Sequence, residues 1–372
     1  MSGERIPQRV CLLRLSALGD CANVVPVVHT LQAARPDIEI TWIINRAEAG
    51  LVADLPGVSC MVYDKSGGRA ALLDLARRLR GQRFDVLLDM HASWRANVIA
   101  CLVRADRRIG FDKRRARDGQ RLFVSQTIAP VASRHVVDGF LAFAAAIGAS
   151  APVMDWRVPV SAADRDKATA LLAASDQGSP LLIISPCSSH GMRNWQATCY
   201  AGLADHAATH HGMRVVLAGG PSASEQAMGQ AIIAAANCRI TNLIGQTSLK
   251  QLLAVFEQGD VLVTPDSGPA HMANATEITT ISLHAATDPR RSGAYRSRGW
   301  CIDYFAEAAA AYRRRAPDDL KWGTRIEDDT GVMALIPLAA VTKRLDTVMA
   351  EHGTGLVTPC PEITPPRAPG SG

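Results

Sequence analysis

The sequence predicts an α/β protein of two Rossmann-like halves that face each other across a cleft. Three observations lead there: a length that needs two cores, a composition suited to buried parallel strands, and a repeated alternation of short apolar runs with longer amphipathic ones. At 372 residues the chain exceeds one ordinary core and suits two domains of about 150 residues each. Its residues are 48% apolar, 20% charged and only 5% aromatic, as expected where strands are buried on both faces.

The alternation is clearest in the first half. Arg9 to Leu15, Ile38 to Ile44, Val58 to Val62, Phe84 to Met90 and Arg107 to Phe111 read as strands with helical patterns between them, the grammar of right-handed crossovers in a parallel sheet. A helix over His135 to Ile147 is followed by Gly148-Ala149-Ser150-Ala151-Pro152 and then Pro159. The domain boundary is expected there, with an N-terminal domain over residues 1–150 and a C-terminal one over 151–350. The second half reads as a helix over Ala162 to Ala174, strands at Leu181 to Ser185, Arg214 to Ala218, Val261 to Thr264 and Thr279 to Leu283, and helices such as Gln196 to His210 and Ser222 to Ala236. A last helical pattern covers Pro337 to Ala350, and the Pro- and Gly-rich tail at 351–372 is expected to be disordered.

Charge and cysteine usage bound the function. The net charge of +5 suits acidic small molecules or an anionic surface and falls short of a nucleic-acid binder. Between Arg104 and Arg121 eight Lys/Arg face three Asp, a basic window that reads either as an anion-binding surface or as a solvated loop. Nine scattered cysteines without a C-x-x-C pair argue against a disulfide framework and a structural zinc site, so a reducing cytoplasm is expected. The first residues lack an apolar signal core, and no run approaches the roughly 18 apolar residues of a membrane span. Any membrane contact is therefore expected to be peripheral.

Four constellations carry chemistry. In Arg14-Leu15-Ser16-Ala17-Leu18-Gly19-Asp20 a strand runs into a turn and a helix, which puts Asp20 at the mouth of the sheet as a helix cap or a catalytic carboxylate. It is not a dinucleotide fingerprint, since G-x-G-x-x-G is missing. In Asp266-Ser267-Gly268-Pro269-Ala270-His271 another strand end opens a helix whose free amides can hold a diphosphate. There Asp266 and Ser267 read equally as caps, and His271 as a core histidine. The third is Ser185-Pro186-Cys187-Ser188-Ser189 with Arg193, hydroxyls and a cation that can hold phosphate oxygens or form an ordinary loop. The fourth is Gly219-Gly220-Pro221 with Glu225, a carboxylate suited to ribose hydroxyls or simply an exposed helix residue. His206 and His210 lack the glutamate of a zinc motif and read as a solvated helix end. Asp164-Arg165-Asp166 lies far from a strand end and reads as surface.

Together, R-L-S-A-L-G-D behind the first strand and D-S-G-P-A-H about 250 residues later resemble glycosyltransferase family 9, the lipopolysaccharide heptosyltransferases. The resemblance spans about Arg9 to Leu345 and includes Gly110-Phe111-Asp112, Leu243-Ile244-Gly245-Gln246-Thr247-Ser248 and Thr287-Asp288-Pro289. It implies a GT-B fold, a lipid-linked anionic core saccharide as acceptor on the N-terminal domain, ADP-heptose on the C-terminal domain, inverting transfer, and no metal or other cofactor. Asp20 matches the catalytic base, and Asp266, Ser267, Gly268 and His271 the donor-binding motif, with Ser188 and Arg193 as further expected donor contacts. Glu225 matches a ribose contact, with Gln246 and Thr247 beside the adenine. Arg193 stands where the family often has lysine. The basic window then gains an acceptor role, with Arg117 and Arg114 as expected contacts, and it suits loose attachment to the inner face of the cytoplasmic membrane. Other readings are a GT-B enzyme using a different nucleotide sugar, including a sugar epimerase, and a non-catalytic nucleotide-sugar-binding module.

Overall fold

The computed structural model describes residues 6–173, 178–327 and 331–353. Its first half contains β1 (Arg9–Leu13), α1 (Leu18–Ala34), β2 (Glu39–Asn45), α2 (Arg46–Val52), β3 (Val58–Tyr63), α3 (Gly68–Leu79), β4 (Phe84–Asp89), α4 (Trp94–Leu102), β5 (Ala105–Gly110), β6 (Gln126–Thr127) and α5 (Val136–Ala145). The second contains α6 (Ala162–Leu172), β7 (Leu181–Ile184), α7 (Ala197–His211), β8 (Arg214–Leu217), α8 (Ala223–Ala235), β9 (Ile240–Asn242), α9 (Leu249–Phe256), β10 (Val261–Pro265), α10 (Gly268–Met272), β11 (Thr279–His284), α11 (Pro289–Ser292), β12 (Ile302–Asp303), α12 (Phe305–Arg313) and α13 (Leu338–Gly353).

Each half forms one six-stranded sheet, ordered β3-β2-β1-β4-β5-β6 and β12-β11-β10-β7-β8-β9. All paired strands run parallel. Read from its own first strand, the second sheet has the same doubly wound order as the first. The central strands of the second sheet are buried along their whole length: Leu181–Ile184 and Val261–Pro265 have no exposed residue. In a doubly wound sheet the crevice opens at the carboxyl ends of the two strands where the order reverses. Those are β1 and β4 in the first sheet and β7 and β10 in the second.

The strand ends fall within one or two residues of the sequence reading: β1, β4, β5, β7 and β8 stop early, so Leu15, Met90 and Ser185 belong to loops, while β2, β3, β10 and β11 run one residue longer. Three short edge strands, β6, β9 and β12, carry too few apolar residues to be read from periodicity. The expected tail begins inside α13, which continues through residues 351–353. The remainder of the tail lies outside the described residues.

The two halves meet along α1. Its residues Cys21 to Val28, and Thr30 and Leu31, are buried all round, because one side faces α5 and the other faces α10. An apolar helix without a polar face needs such two-sided cover. The contact is close enough to demand glycine. A Cβ at Gly19 would lie 2.3 Å from His271 Cδ2, and one at Gly268 would lie 3.0 Å from Leu18 Cδ2. Gly19→Ala is expected to lower the unfolding free energy by about 1–3 kcal/mol through overpacking. Gly299→Ala, with open space around it, is expected to change it by less than about 0.5 kcal/mol. Urea unfolding of both variants checks this, and equal midpoints would remove the steric argument.

Candidate active site

The N-terminal wall is built by the loops after β1, β4 and β5. Arg14 leaves β1, donates from Nη1 to the Met90 carbonyl at 2.6 Å and pairs through Nη2 with Asp20 Oδ2. Its guanidinium also lies 5.3 Å from the Phe140 ring centre. Asp20 is therefore not a cap: α1 starts at Leu18 without a side-chain cap, and the carboxylate turns back to Arg14. The Leu15 N–H donates to His91 Nδ1 at 3.1 Å, which ties the β1 and β4 loops together. Burial, then the charge of Arg14, pushes the His91 imidazole down to about 3, so the ring stays neutral and Nδ1 keeps its lone pair. Asp89 at the end of β4 is pushed up to about 7 by burial, against the opposing pull of Gln120, the His91 N–H and Arg14.

The C-terminal wall comes from the loops after β7, β10 and β11. Asp266 Oδ1 lies 3.6 Å from His271 Nε2, its Oδ2 lies 3.9 Å from Arg193 Nη1, and Ser292 Oγ donates to that same Oδ2 at 3.0 Å. Burial alone would raise this carboxyl. His271, His284 and Arg193 outweigh it and hold Asp266 well below the usual carboxylate range.

The tautomer of His271 follows from its neighbours. Trp156 Nε1 can only donate, and it donates to Asn23 Oδ1 at 3.3 Å. Asn23 Nδ2 then donates to His271 Nδ1, 3.1 Å away, which leaves the ring proton on Nε2, facing Asp266. This chain starts in the linker, passes through α1 and ends in the second half.

Two cavities lie side by side in the cleft. One of about 180 Å³ is lined by Arg14, His91, Phe111, Arg115, Arg117 and Trp322 among others. The second, of about 120 Å³, is lined by Ser189, His190, Arg193, Asp266, Ser267, Gly268, His271 and Ser292 among others. Asp20, Val136, Arg291 and Arg325 line both. A carboxylate thus stands at the junction, flanked by two guanidinium groups.

A family model described as "Glycosyltransferase family 9 (heptosyltransferase)" matches residues 72–320. The chain is 34% identical over 321 residues to the lipopolysaccharide core heptosyltransferase OpsX of Haemophilus influenzae, covering 86% of this chain and 91% of that one. This chain belongs to glycosyltransferase family 9. Among solved structures it resembles Escherichia coli ADP-heptose lps heptosyltransferase II, with a TM-score of 0.70, 18% identity and coverage of 93% and 99% of the two chains. It also resembles E. coli heptosyltransferase WaaC with ADP-2-deoxy-2-fluoro heptose, with a TM-score of 0.60, 17% identity and coverage of 76% and 91%. The two facing sheets are the GT-B fold.

The transferase brings together Asp20, Arg193, Asp266, Ser267, Gly268 and His271, all on the second cavity, and Arg117 on the first. Arg193 is not a surface side chain. It is only 8% exposed, its Nε pairs with Glu327, and its Nη2 has no hydrogen-bond partner among the described residues. Gly268 admits Leu18 of α1, a closer neighbour than any phosphate reading required. Arg114 is exposed and lines neither cavity. Arg115, between the two expected acceptor contacts, makes a buried pair with Asp112 at 2.6 Å and donates to the Ser133 carbonyl at 2.6 Å, so part of the basic window is structural.

Ser188, Glu225, Gln246 and Thr247 also lie outside both linings. The Ser188 hydroxyl donates to the His190 carbonyl at 2.8 Å. Glu225 accepts from the Gly220 N–H at 2.8 Å and the Ser222 hydroxyl at 2.7 Å, and Gln246 Nε2 donates to the Asn242 carbonyl at 2.6 Å.

His91, Arg291, Trp322 and Arg325 are not singled out by the sequence, and Arg14 is visible there only as the first residue of its motif, without a role. Arg14 sits six residues before Asp20, and Trp322-Gly323-Thr324-Arg325 follows a helix in a segment without periodicity, where pattern reasoning has no purchase. The Trp322 ring lies under three guanidinium groups, those of Arg115, Arg117 and Arg291, at 5.4, 6.0 and 4.9 Å. Away from the cleft, His206 and His211 both reach Asp346 Oδ1, at 2.7 and 2.6 Å. The histidine-rich end of α7 is therefore tied to α13 and is not merely solvated.

The raised Asp89 has a stability consequence. Its folded-state value of about 7 exceeds the unfolded value of about 4, so the native state holds the extra proton and its stability falls as pH rises through that window. Asp89→Asn is expected to remove this slope and to gain on the wild type between about pH 4 and 7. Urea midpoints measured across that range check it, and parallel profiles would contradict it.

Proposed function

We propose that the transferase moves a heptose from ADP-heptose to the inner core of lipopolysaccharide, with inversion at the anomeric carbon and Asp20 as general base. Its acceptor is then an anionic, lipid-linked saccharide, and its place of work the cytoplasmic face of the inner membrane. The position of Asp20 on both cavities carries the reading, because single displacement needs a base between acceptor hydroxyl and donor sugar.

In that reading the donor diphosphate occupies the cavity with Arg193 and His271, and the acceptor occupies the one with Arg117 and Trp322. Arg14 holds Oδ2 of Asp20, which leaves Oδ1 to take the proton of the acceptor hydroxyl. As the new bond forms, the bond from the anomeric carbon to the phosphate oxygen breaks, and its electron pair departs with the diphosphate. Arg193, Arg291 and Arg325 line the space where that charge gathers, which is how fixed cations lower a barrier. Guanidinium groups thus supply the charge that metal-dependent transferases draw from a cation. Kinship with a heptosyltransferase of lipopolysaccharide core supports the choice of sugar and acceptor.

The test is purified protein with ADP-heptose and truncated core acceptors, following ADP release and the anomeric configuration of the product by NMR. Asp20→Asn is expected to lower kcat by about 10²–10⁴ while ADP affinity changes by less than about threefold. Retained turnover would point to another base, and no turnover by the wild type on any acceptor would leave a binding module. Turnover with a different nucleotide sugar only would replace the donor.

Arg193→Ala is expected to weaken ADP binding about 10- to 100-fold, the range of a lost charge-assisted hydrogen bond. Arg193→Lys should recover only part of it, since a point charge cannot serve Glu327, Asp266 and a phosphate together. Calorimetric titration with ADP reads both, and unchanged affinity in Arg193→Ala would remove Arg193 from the donor site.

A further inference from the structure

Four large apolar side chains are conspicuously exposed among the described residues, and two of them belong to one patch. Trp94, the first residue of α4, is 64% exposed, and Leu122, in the loop between β5 and β6, is 86% exposed. Phe123 joins them, its ring edge-on to Trp94 with centroids 5.9 Å apart. Hydrogen bonds fix the patch in place: the Trp94 N–H donates to Asp118 Oδ2 at 3.2 Å, and Asn97 Nδ2 to the Asp118 carbonyl at 2.7 Å. Asp118 and Gly119 both take positive φ, 49° and 72°, a turn that presents Arg121 and Leu122 outward. Such exposure is built, not frayed.

Arg95 adjoins Trp94, Arg121 adjoins Leu122, and Lys113 and Arg114 belong to the same loop between β5 and β6; all four are exposed and none is in an ion pair with another described residue. Asp118 is the acidic neighbour, and it is already engaged with α4. An indole, a leucine and a phenylalanine on loops that also carry cations paired with no described residue match the interface of an anionic bilayer, where an amphipathic ring sits at headgroup level and basic side chains meet phosphates.

The same two loops also line the cleft. His91 and Ala92 face the cavity and Trp94 follows on the outside. Phe111, Arg115 and Arg117 face it and Lys113, Arg114 and Arg121 do not. One pair of loops therefore presents its inner face to a saccharide and its outer face to solvent.

We propose that the patch formed by Trp94, Leu122 and Phe123 with Arg95, Lys113, Arg114 and Arg121 is a docking surface for an anionic lipid bilayer, with Trp94 and Leu122 entering the headgroup boundary. It rests on the reading of the acceptor as lipid-linked only for its purpose; the binding itself needs no acceptor. Docking at this rim brings the mouth of the Arg117–Trp322 cavity to the membrane, so that a lipid-anchored sugar is delivered without leaving the bilayer.

Vesicle sedimentation with the full chain tests it, using vesicles of phosphatidylcholine alone and of phosphatidylcholine with 30% phosphatidylglycerol. The wild type should partition at least tenfold more strongly to the anionic vesicles. Trp94→Ser with Leu122→Ser, and separately Arg121→Glu, should each reduce that partition at least fivefold. Brominated lipids should quench fluorescence of the wild type and lose that quenching in Trp94→Phe.

Each variant should keep ADP release on a delipidated, soluble core saccharide, which shows that it folds and separates this test from that of the transfer reaction. Unchanged partition of the serine variant, equal binding to both vesicle types, or absent quenching would overturn the proposal. So would concentration-dependent self-association that the serine variant abolishes, since the patch would then cover a second copy.

Discussion

The contact between α1 and α10 is the constraint on which the cleft depends. Gly19 and Gly268 remove the two Cβ atoms that would hold the helices apart, and the backbones come close enough for a side chain of one half to touch the ring of the other. A Rossmann-like sheet by itself offers a crevice at its switch point. Two such sheets become one site only when their crevices are opposed at a fixed distance. Here that distance is set by sterics at two glycines and by hydrogen bonds through Asn23, and polar contacts between the halves, such as Tyr295 to Asp138 at 2.8 Å and Arg134 to Asp318 at 2.8 Å, support it. The site residues inherit their geometry from this packing: Asp20 sits one residue after Gly19, and Asp266 and Ser267 sit just before Gly268.

The electrostatics of the cleft follow from the same closeness. Asp266 is buried, yet it remains a carboxylate because His271, His284 and Arg193 surround it. The proton on His271 is directed at it only because Asn23 and Trp156 fix the tautomer. A buried charge without such partners would take up a proton instead. Asp89 moves in that direction, raised by burial to about 7 against the pull of Gln120, the His91 N–H and Arg14. The two carboxylates occupy comparable strand ends, β10 and β4, and differ in the cations that face them. Sign and state of charge in this cleft are thus properties of the assembled pair of halves.

Much of this architecture was legible in the sequence, and the omissions share a cause. Buried parallel strands such as Val261–Pro265 announce themselves by composition, and loops at their ends by Gly, Pro and Ser. The short strands β6, β9 and β12 have two or three residues each and no period to detect. Asp20 was located, but its partner was not, since the pairing with Arg14 depends on how the turn folds back. Arg193 was read as a cation that could equally be a surface residue, because burial by Glu327, 134 positions later, is not encoded nearby. Trp322 was invisible for the same reason: its three arginines come from positions 115, 117 and 291. Glu225 and Gln246 were expected from the resemblance to meet the nucleotide, and in this structure their polar groups bond within their own loops, to Gly220, Ser222 and Asn242.

The arginine at position 193 has a physical reason to differ from a lysine. Its Nε pairs with Glu327, its Nη1 approaches Asp266, and its Nη2 is left without a partner in a buried place. A planar fork can do these three things at once because its donors point in separate, fixed directions. An ammonium group offers three donors from a single atom and could not span the carboxylates on two sides in the same way. Arginine and Glu327 therefore belong together: the glutamate fixes the guanidinium plane, and the plane leaves one donor free.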